Sequence, residues 1–132
     1  MIVDSSALIA VVQGESQAAE CSELLLSEQC RMSVANWVEA GIVVDSRSIV
    51  MQHEFEELLA LAEVTVEPVT VEQARIARDA YRRYGRGSGH PARLNYGDCF
   101  AYALAVVTGE PLLFVGDDFA HTDVRAAEAH RQ

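Results

Sequence analysis

Four carboxylate positions in this sequence stand where a solvated surface would not put them. Asp4 follows an apolar start and precedes the run 7–12. Glu39 is the only charge between Met32 and Val44. Asp98 heads the stretch 99–107, which carries no other charge. Asp117 and Asp118 come directly after the apolar segment 111–116. Burying a charge is costly unless it is paired or binds a metal. Carboxylates gathered at one place also raise one another's pKa. The chain has no lysine to neutralise them, and no arginine adjoins any of them in sequence. A divalent cation is the partner this pattern predicts. All-oxygen ligation suits Mg²⁺ or Mn²⁺ rather than zinc. Such an ion activates water and stabilises charge on a phosphate in transit.

Structural duties compete for the same residues. Asn95 is a good helix N-cap and Asp98 stands three residues later, as in a capping box. Asp98 therefore has a role at the positive end of a helix dipole whether or not it binds anything. Asp4 or Ser6 serves equally as the cap of the helix that follows. Glu39 has an exposed helical stripe as its alternative, although neighbouring turns offer no other charge before Asp45.

The elements that must position these groups alternate in type. Residues 1–3 read as a buried strand and 7–12 as a helix broken by Gly14. Residues 16–28 form an amphipathic helix, 31–33 a second strand, and 34–50 one long helix holding Glu39. A further amphipathic helix covers 53–62. The β-branched stretch 64–69 is a strand, and Thr70 caps a helix from Val71 to about Tyr84. The glycine-rich segment 85–91 reads as a mobile loop beside the site. The central helix starts after Asn95, and 112–115 is the last strand. Strands alternating with helices indicate a parallel α/β sheet in a single domain spanning residues 1–132. Ligands bind beyond the carboxyl ends of the strands in such sheets. Asp4 and the Asp117–Asp118 pair fall at those ends, and Glu39 and Asp98 reach the same edge from helices.

Composition removes several classes. The net charge of −10 argues against a simple electrostatic nucleic-acid binder. Without lysine there is no phosphate-loop lysine and no Schiff base. Positive charge is focused instead, with Arg75, Arg78, Arg82, Arg83, Arg86 and Arg93 in one segment. Arg82, Arg83, Arg86 and Arg93 directly precede the central motif, and Arg86 and Arg93 above all are candidates to hold substrate phosphates or an acidic segment of a partner, with ordinary solvated helix-end charge as the alternative. Cys21, Cys30 and Cys99 do not follow a zinc spacing and cannot all pair internally. No apolar run is long enough to span a membrane, and no basic segment precedes one at the N-terminus. The expectation is a reducing cytoplasm.

Asp4-Ser5-Ser6-Ala7-Leu8, Glu39, Leu94-Asn95-Tyr96-Gly97-Asp98-Cys99, the run from Pro111 to Phe119, and Thr122-Asp123 occur in an order and spacing that resembles the PIN-domain ribonucleases. Within them the chain is similar to the VapC-type toxins of VapBC toxin–antitoxin pairs. The resemblance covers nearly the whole chain. It implies a three-layer α/β/α fold around a central parallel sheet, and Mg²⁺-dependent endonucleolytic cleavage of RNA. It also implies a homodimer and a cognate VapB-like antitoxin docking near the active site. Carried over by position, Asp4 and Asp98 are the principal metal ligands, with Glu39 a ligand or an acid that orients a water. The fourth acid is Asp117 or Asp118, and Ser6 matches the hydroxyl that supports Asp4. A catalytically silent metal- or partner-binding module of the same fold is the alternative, and a metal titration separates the two. A phosphotransfer receiver using Asp4 would need a lysine late in the chain, which is absent.

Overall fold

The computed structural model describes residues 1–128. Four short parallel strands form the sheet, in the order β3-β2-β1-β4. They are β1 (Ile2–Val3), β2 (Arg31–Ser33), β3 (Thr65–Glu67) and β4 (Leu112–Leu113). The helices are α1 (Ser5–Gln13), α2 (Ala18–Ser27), α3 (Val34–Asp45), α4 (Ile49–Leu61), α5 (Val71–Tyr84) and α6 (Tyr96–Thr108). A 3-10 turn covers Phe119–His121.

Strand alternation builds the layers. Successive side chains on a strand point to opposite faces. Val3 and Leu113 join one core with Leu8, Leu24, Leu25, Met32 and Phe55, under α1 to α4. Ile2 and Leu112 join the other with Ala77, Ala80, Leu94 and Leu104, under α5 and α6. Both faces of the sheet are thus covered, giving the α/β/α arrangement. No helix among the described residues is long and apolar enough to cross a membrane.

The strands stop early for local reasons. Pro68, which lacks an N–H, follows β3. Past β4, the Val115 N–H leaves the ladder and donates to Ser6 Oγ at 3.0 Å. The expected strands 64–69 and 112–115 are shortened accordingly.

The single helix expected over 34–50 is two. α3 ends at Asp45, where the Ser46 hydroxyl donates to the Val43 carbonyl at 2.7 Å. Ser48 then caps α4, its oxygen accepting from the Met51 N–H at 3.1 Å. The helix expected from residue 53 therefore begins at Ile49. α6 is capped by Asn95 and closed by Gly109 in the left-handed region, φ 68°. It is buried along most of its length, but Tyr96, Val106 and Val107 are exposed, so the uncharged run 99–107 is buried in its middle and not to its end.

Candidate active site

Asp4 leaves the end of β1 and caps α1, its Oδ2 accepting from the Ser6 N–H at 3.0 Å. It is 2 % exposed, and its Oδ1 is buried with no hydrogen-bond partner among the described residues. Burial lifts its carboxyl from 3.8 to about 6, the Ser6 hydroxyl and N–H pull it back, and the charge of Glu39 adds to the rise. Ser6 thus supports Asp4 and also ties α1 to the end of β4.

Asp98 occupies the third position of α6 and completes a capping box with Asn95. Burial raises its carboxyl from 3.8 to about 7. The Asn95 N–H opposes that rise, and the charges of Asp4, Asp118 and Glu39 reinforce it. Asp98 therefore feels Asp4, Glu39 and Asp118 across a shared space.

Glu39 is half-buried on α3. Its Oε1 accepts from Ser5 Oγ at 2.5 Å and from Asn36 Nδ2 at 3.4 Å. The cavity between these groups has a volume of about 310 Å³, and Asp4, Ser5, Ser6, Glu39, Asn95, Asp98 and Asp118 line it. It lies beyond the carboxyl ends of β1 and β4, where a parallel sheet places ligands.

The pair after β4 separates. Asp118 lines the cavity, whereas Asp117 is exposed outside it. Arg86 and Arg93 do not line the cavity either. They are exposed on the segment leading into α6, where the Arg86 N–H donates to the Leu94 carbonyl at 3.0 Å. Arg93 holds φ 51°, the left-handed region, immediately before Leu94. A larger apolar groove of about 460 Å³ runs between α5 and α6, past Tyr81, Tyr96, Arg78 and Arg82, and contains no carboxylate.

Sequence reasoning did not single out Ser5, Asn36 or Gly97. Asn36 lies three residues before Glu39, on the same helical face. It is an uncharged polar residue in an apolar run, the one available signal. The packing that gives Gly97 its role joins residues far apart in sequence.

The donor set fits a hard cation. An orphaned, buried carboxylate oxygen on Asp4 shares its cavity with Glu39, Asp98 and Asp118, and no lysine or arginine among the described residues lines that cavity. Among the described residues, no three acidic, histidine or cysteine side chains close tightly on one point. The wide oxygen-lined cavity suits an ion that keeps several waters and takes only one or two protein carboxylates, as Mg²⁺ does.

The PIN domain family matches residues 1–125. Ribonuclease VapC42 of Mycobacterium tuberculosis is 54% identical over 129 residues, covering 96% of this chain and 98% of its own. The crystal structure of Mycobacterium tuberculosis VapC20, described as a sarcin-ricin loop cleaving toxin, superimposes with a TM-score of 0.74 at 18% identity. That alignment covers 97% of this chain and 98% of the other. A toxin-antitoxin complex from Klebsiella pneumoniae aligns with a TM-score of 0.67 at 20% identity, over 90% and 89% of the two chains.

Proposed function

The chain belongs to the PIN-domain family, and from that premise we propose that its acid-lined cavity is where it hydrolyses RNA. The protein is an endoribonuclease, a phosphodiester hydrolase of the VapC toxin kind. Residues 1–132 form one nuclease domain in this proposal, of which 129–132 lie outside the described residues.

Asp4 and Asp98 would hold Mg²⁺, with Mn²⁺ able to replace it. When bound, the cation supplies Lewis acidity toward water and toward the phosphate oxygens. Glu39, held by Ser5, orients the attacking water and accepts its proton. Asp118 supplies the fourth acid of the cavity lining, and Asp117, outside it, takes no part. Ser6 keeps the Asp4 carboxylate in place. Arg86 and Arg93 contact RNA phosphates flanking the cleaved bond, so an acidic protein grips a polyanion locally.

The observation that carries this reading is the unpartnered Asp4 Oδ1, buried within reach of other acids. A purely structural cap would have both oxygens satisfied or solvated. Its test is endonucleolytic cleavage of total RNA by the purified protein, with the ends mapped. Asp4→Asn should fold and lose cleavage, and an active Asp4→Asn protein would remove Asp4 from the site.

A second copy of the chain and a VapB-like antitoxin are the protein partners we infer. Exposed apolar surface is available for them: Trp37, Val38 and Ile42 on α3, and Tyr81 and Tyr96 beside the α5–α6 groove. Contiguous surface of this kind marks protein contact. Cys21, Cys30 and Cys99 are free and buried, which suits a cytoplasmic setting.

A further inference from the structure

Three elements meet at the Glu39 carboxylate. Ser5, the first residue of α1, donates its hydroxyl to Oε1 at 2.5 Å. Asn36, one turn earlier on α3, points Nδ2 at the same oxygen from 3.4 Å and donates to the Gly97 carbonyl at 2.9 Å. Gly97, the second residue of α6, lies against the other oxygen. A Cβ built on Gly97 would collide with Glu39 Oε2 and crowd the rest of the carboxylate, which could yield only by swinging away from Ser5 and Asn36.

Helical packing alone does not explain either residue. Gly97 has no positive φ, so alanine fits its backbone and would favour the helix. Asn36 is fully buried, and both groups it faces are acceptors, so only its amide nitrogen can be turned toward them. Its Oδ1 is left buried without a partner among the described residues. An apolar residue of similar size would avoid that penalty. What Asn36 gains is a bridge from Glu39 to the residue directly before Asp98.

We propose that Asn36 and Gly97 are positioning residues that seat the Glu39 carboxylate against the first turn of α6, fixing its place relative to Asp98. Gly97 provides the space, and Asn36 bridges Glu39 to the wall of that space. The proposal rests on the reading of Glu39 as a working acid of the cleavage reaction. A misplaced catalytic group loses rate with little change in substrate binding.

The test is a double-mutant cycle on Gly97→Ala and Glu39→Ala, read by melting in chelator and by cleavage kinetics. In the parent, Gly97→Ala should lower Tm and reduce kcat by roughly 100-fold with KM nearly unchanged. In the Glu39→Ala background the collision is gone, so the same substitution should raise Tm. Such a reversal of sign would come from the seat and not from the helix. Recovery of folding in the double variant, should Gly97→Ala alone fail to fold, supports the proposal equally. Asn36→Ala should lower kcat and leave KM in place. A Gly97→Ala effect on Tm of the same sign in both backgrounds would overturn the seat. Full activity in Glu39→Ala would instead overturn the reading of Glu39, and the melting data would still decide the seat.

Discussion

Asp98 and Asn95 hold each other at both ends of one short loop: Asp98 Oδ2 accepts from the Asn95 N–H at 2.9 Å, and Asn95 Oδ1 accepts from the Asp98 N–H at 2.8 Å. The carboxylate that starts α6 is therefore the same one that faces the acidic cavity. One oxygen caps and the group as a whole remains beside Asp4, Glu39 and Asp118.

This double duty makes the effect of Asp98→Ala on stability informative. Loss of a helix cap alone costs about 1 kcal/mol. Removing one of four mutually repelling acids relieves strain in the metal-free protein and should offset that cost. In chelator the variant should melt at or above its parent. In Mg²⁺ it should lack the stabilisation the parent receives. Melting curves of both proteins under both conditions check this. A variant that melts lower in chelator yet still gains from Mg²⁺ would make Asp98 a structural cap.

Without metal, stability should decrease as pH rises. The Asp4 and Asp98 carboxyls are raised in the folded chain from 3.8 to about 6 and about 7. A raised carboxyl binds its proton more tightly folded than unfolded, so its contribution is full below 3.8 and lost as pH rises through the folded value. The loss should be on the order of 3 kcal/mol for Asp4 and about 4 kcal/mol for Asp98, at about 1.4 kcal/mol for each unit of pKa difference. Asp98→Asn retains a cap acceptor and removes the charge, so it should flatten the upper part of this profile. Denaturant titrations in chelator across the range measure it, and a parent profile no steeper than that of Asp98→Asn would contradict it.

The two acids after β4 should separate cleanly. Asp118 lines the cavity and Asp117 does not. Asp118→Ala should lower cleavage by roughly 100-fold, the usual scale for removal of a positioned carboxylate. Asp117→Ala should cleave as its parent does. Equal losses in the two single variants would mean that the turn from Gly116 to Phe119 rearranges around substrate.

Arg86 and Arg93 should report on substrate grip alone. Both are exposed and outside the cavity. Neutralising them should weaken RNA binding and reduce its salt dependence. On a single strand the log–log slope should fall by about 0.7 for each phosphate that is no longer neutralised. An unchanged slope would leave them as ordinary solvated charge before α6.

What could be read from the sequence follows from how local its cause is. Asp4 and Asp98 stood out because each abuts an apolar run, and the Asn95–Asp98 capping box is complete within four residues. Helix α5 was legible to its ends because Thr70 caps it and Gly85 follows it. The break between α3 and α4 was not, since Ser46, Arg47 and Ser48 are tolerated in helices and it takes the extended backbone of Ser48 and its cap on the Met51 N–H to start the second helix. The choice between Asp117 and Asp118 depends on how the chain turns after Gly116, whose φ of 108° has no counterpart in a hydrophobic pattern. Asn36 and Gly97 were silent because the hydrogen bond between them spans sixty-one positions and exists only once α3 and α6 are packed.

Cleavage of RNA by acids that hold a divalent cation is measured most directly as the cleavage rate of parent and Asp98→Asn in Mg²⁺ and in excess chelator. Asp98→Asn preserves an oxygen for the capping box, so loss of activity in it cannot be ascribed to an unfolded α6 once its melting curve is cooperative. The parent should cut RNA in Mg²⁺ and be silent in chelator, its Tm rising with Mg²⁺ by mass action. Asp98→Asn should be slower by at least about 100-fold in Mg²⁺. Undiminished cleavage by the parent in chelator, or by Asp98→Asn in Mg²⁺, would contradict the account.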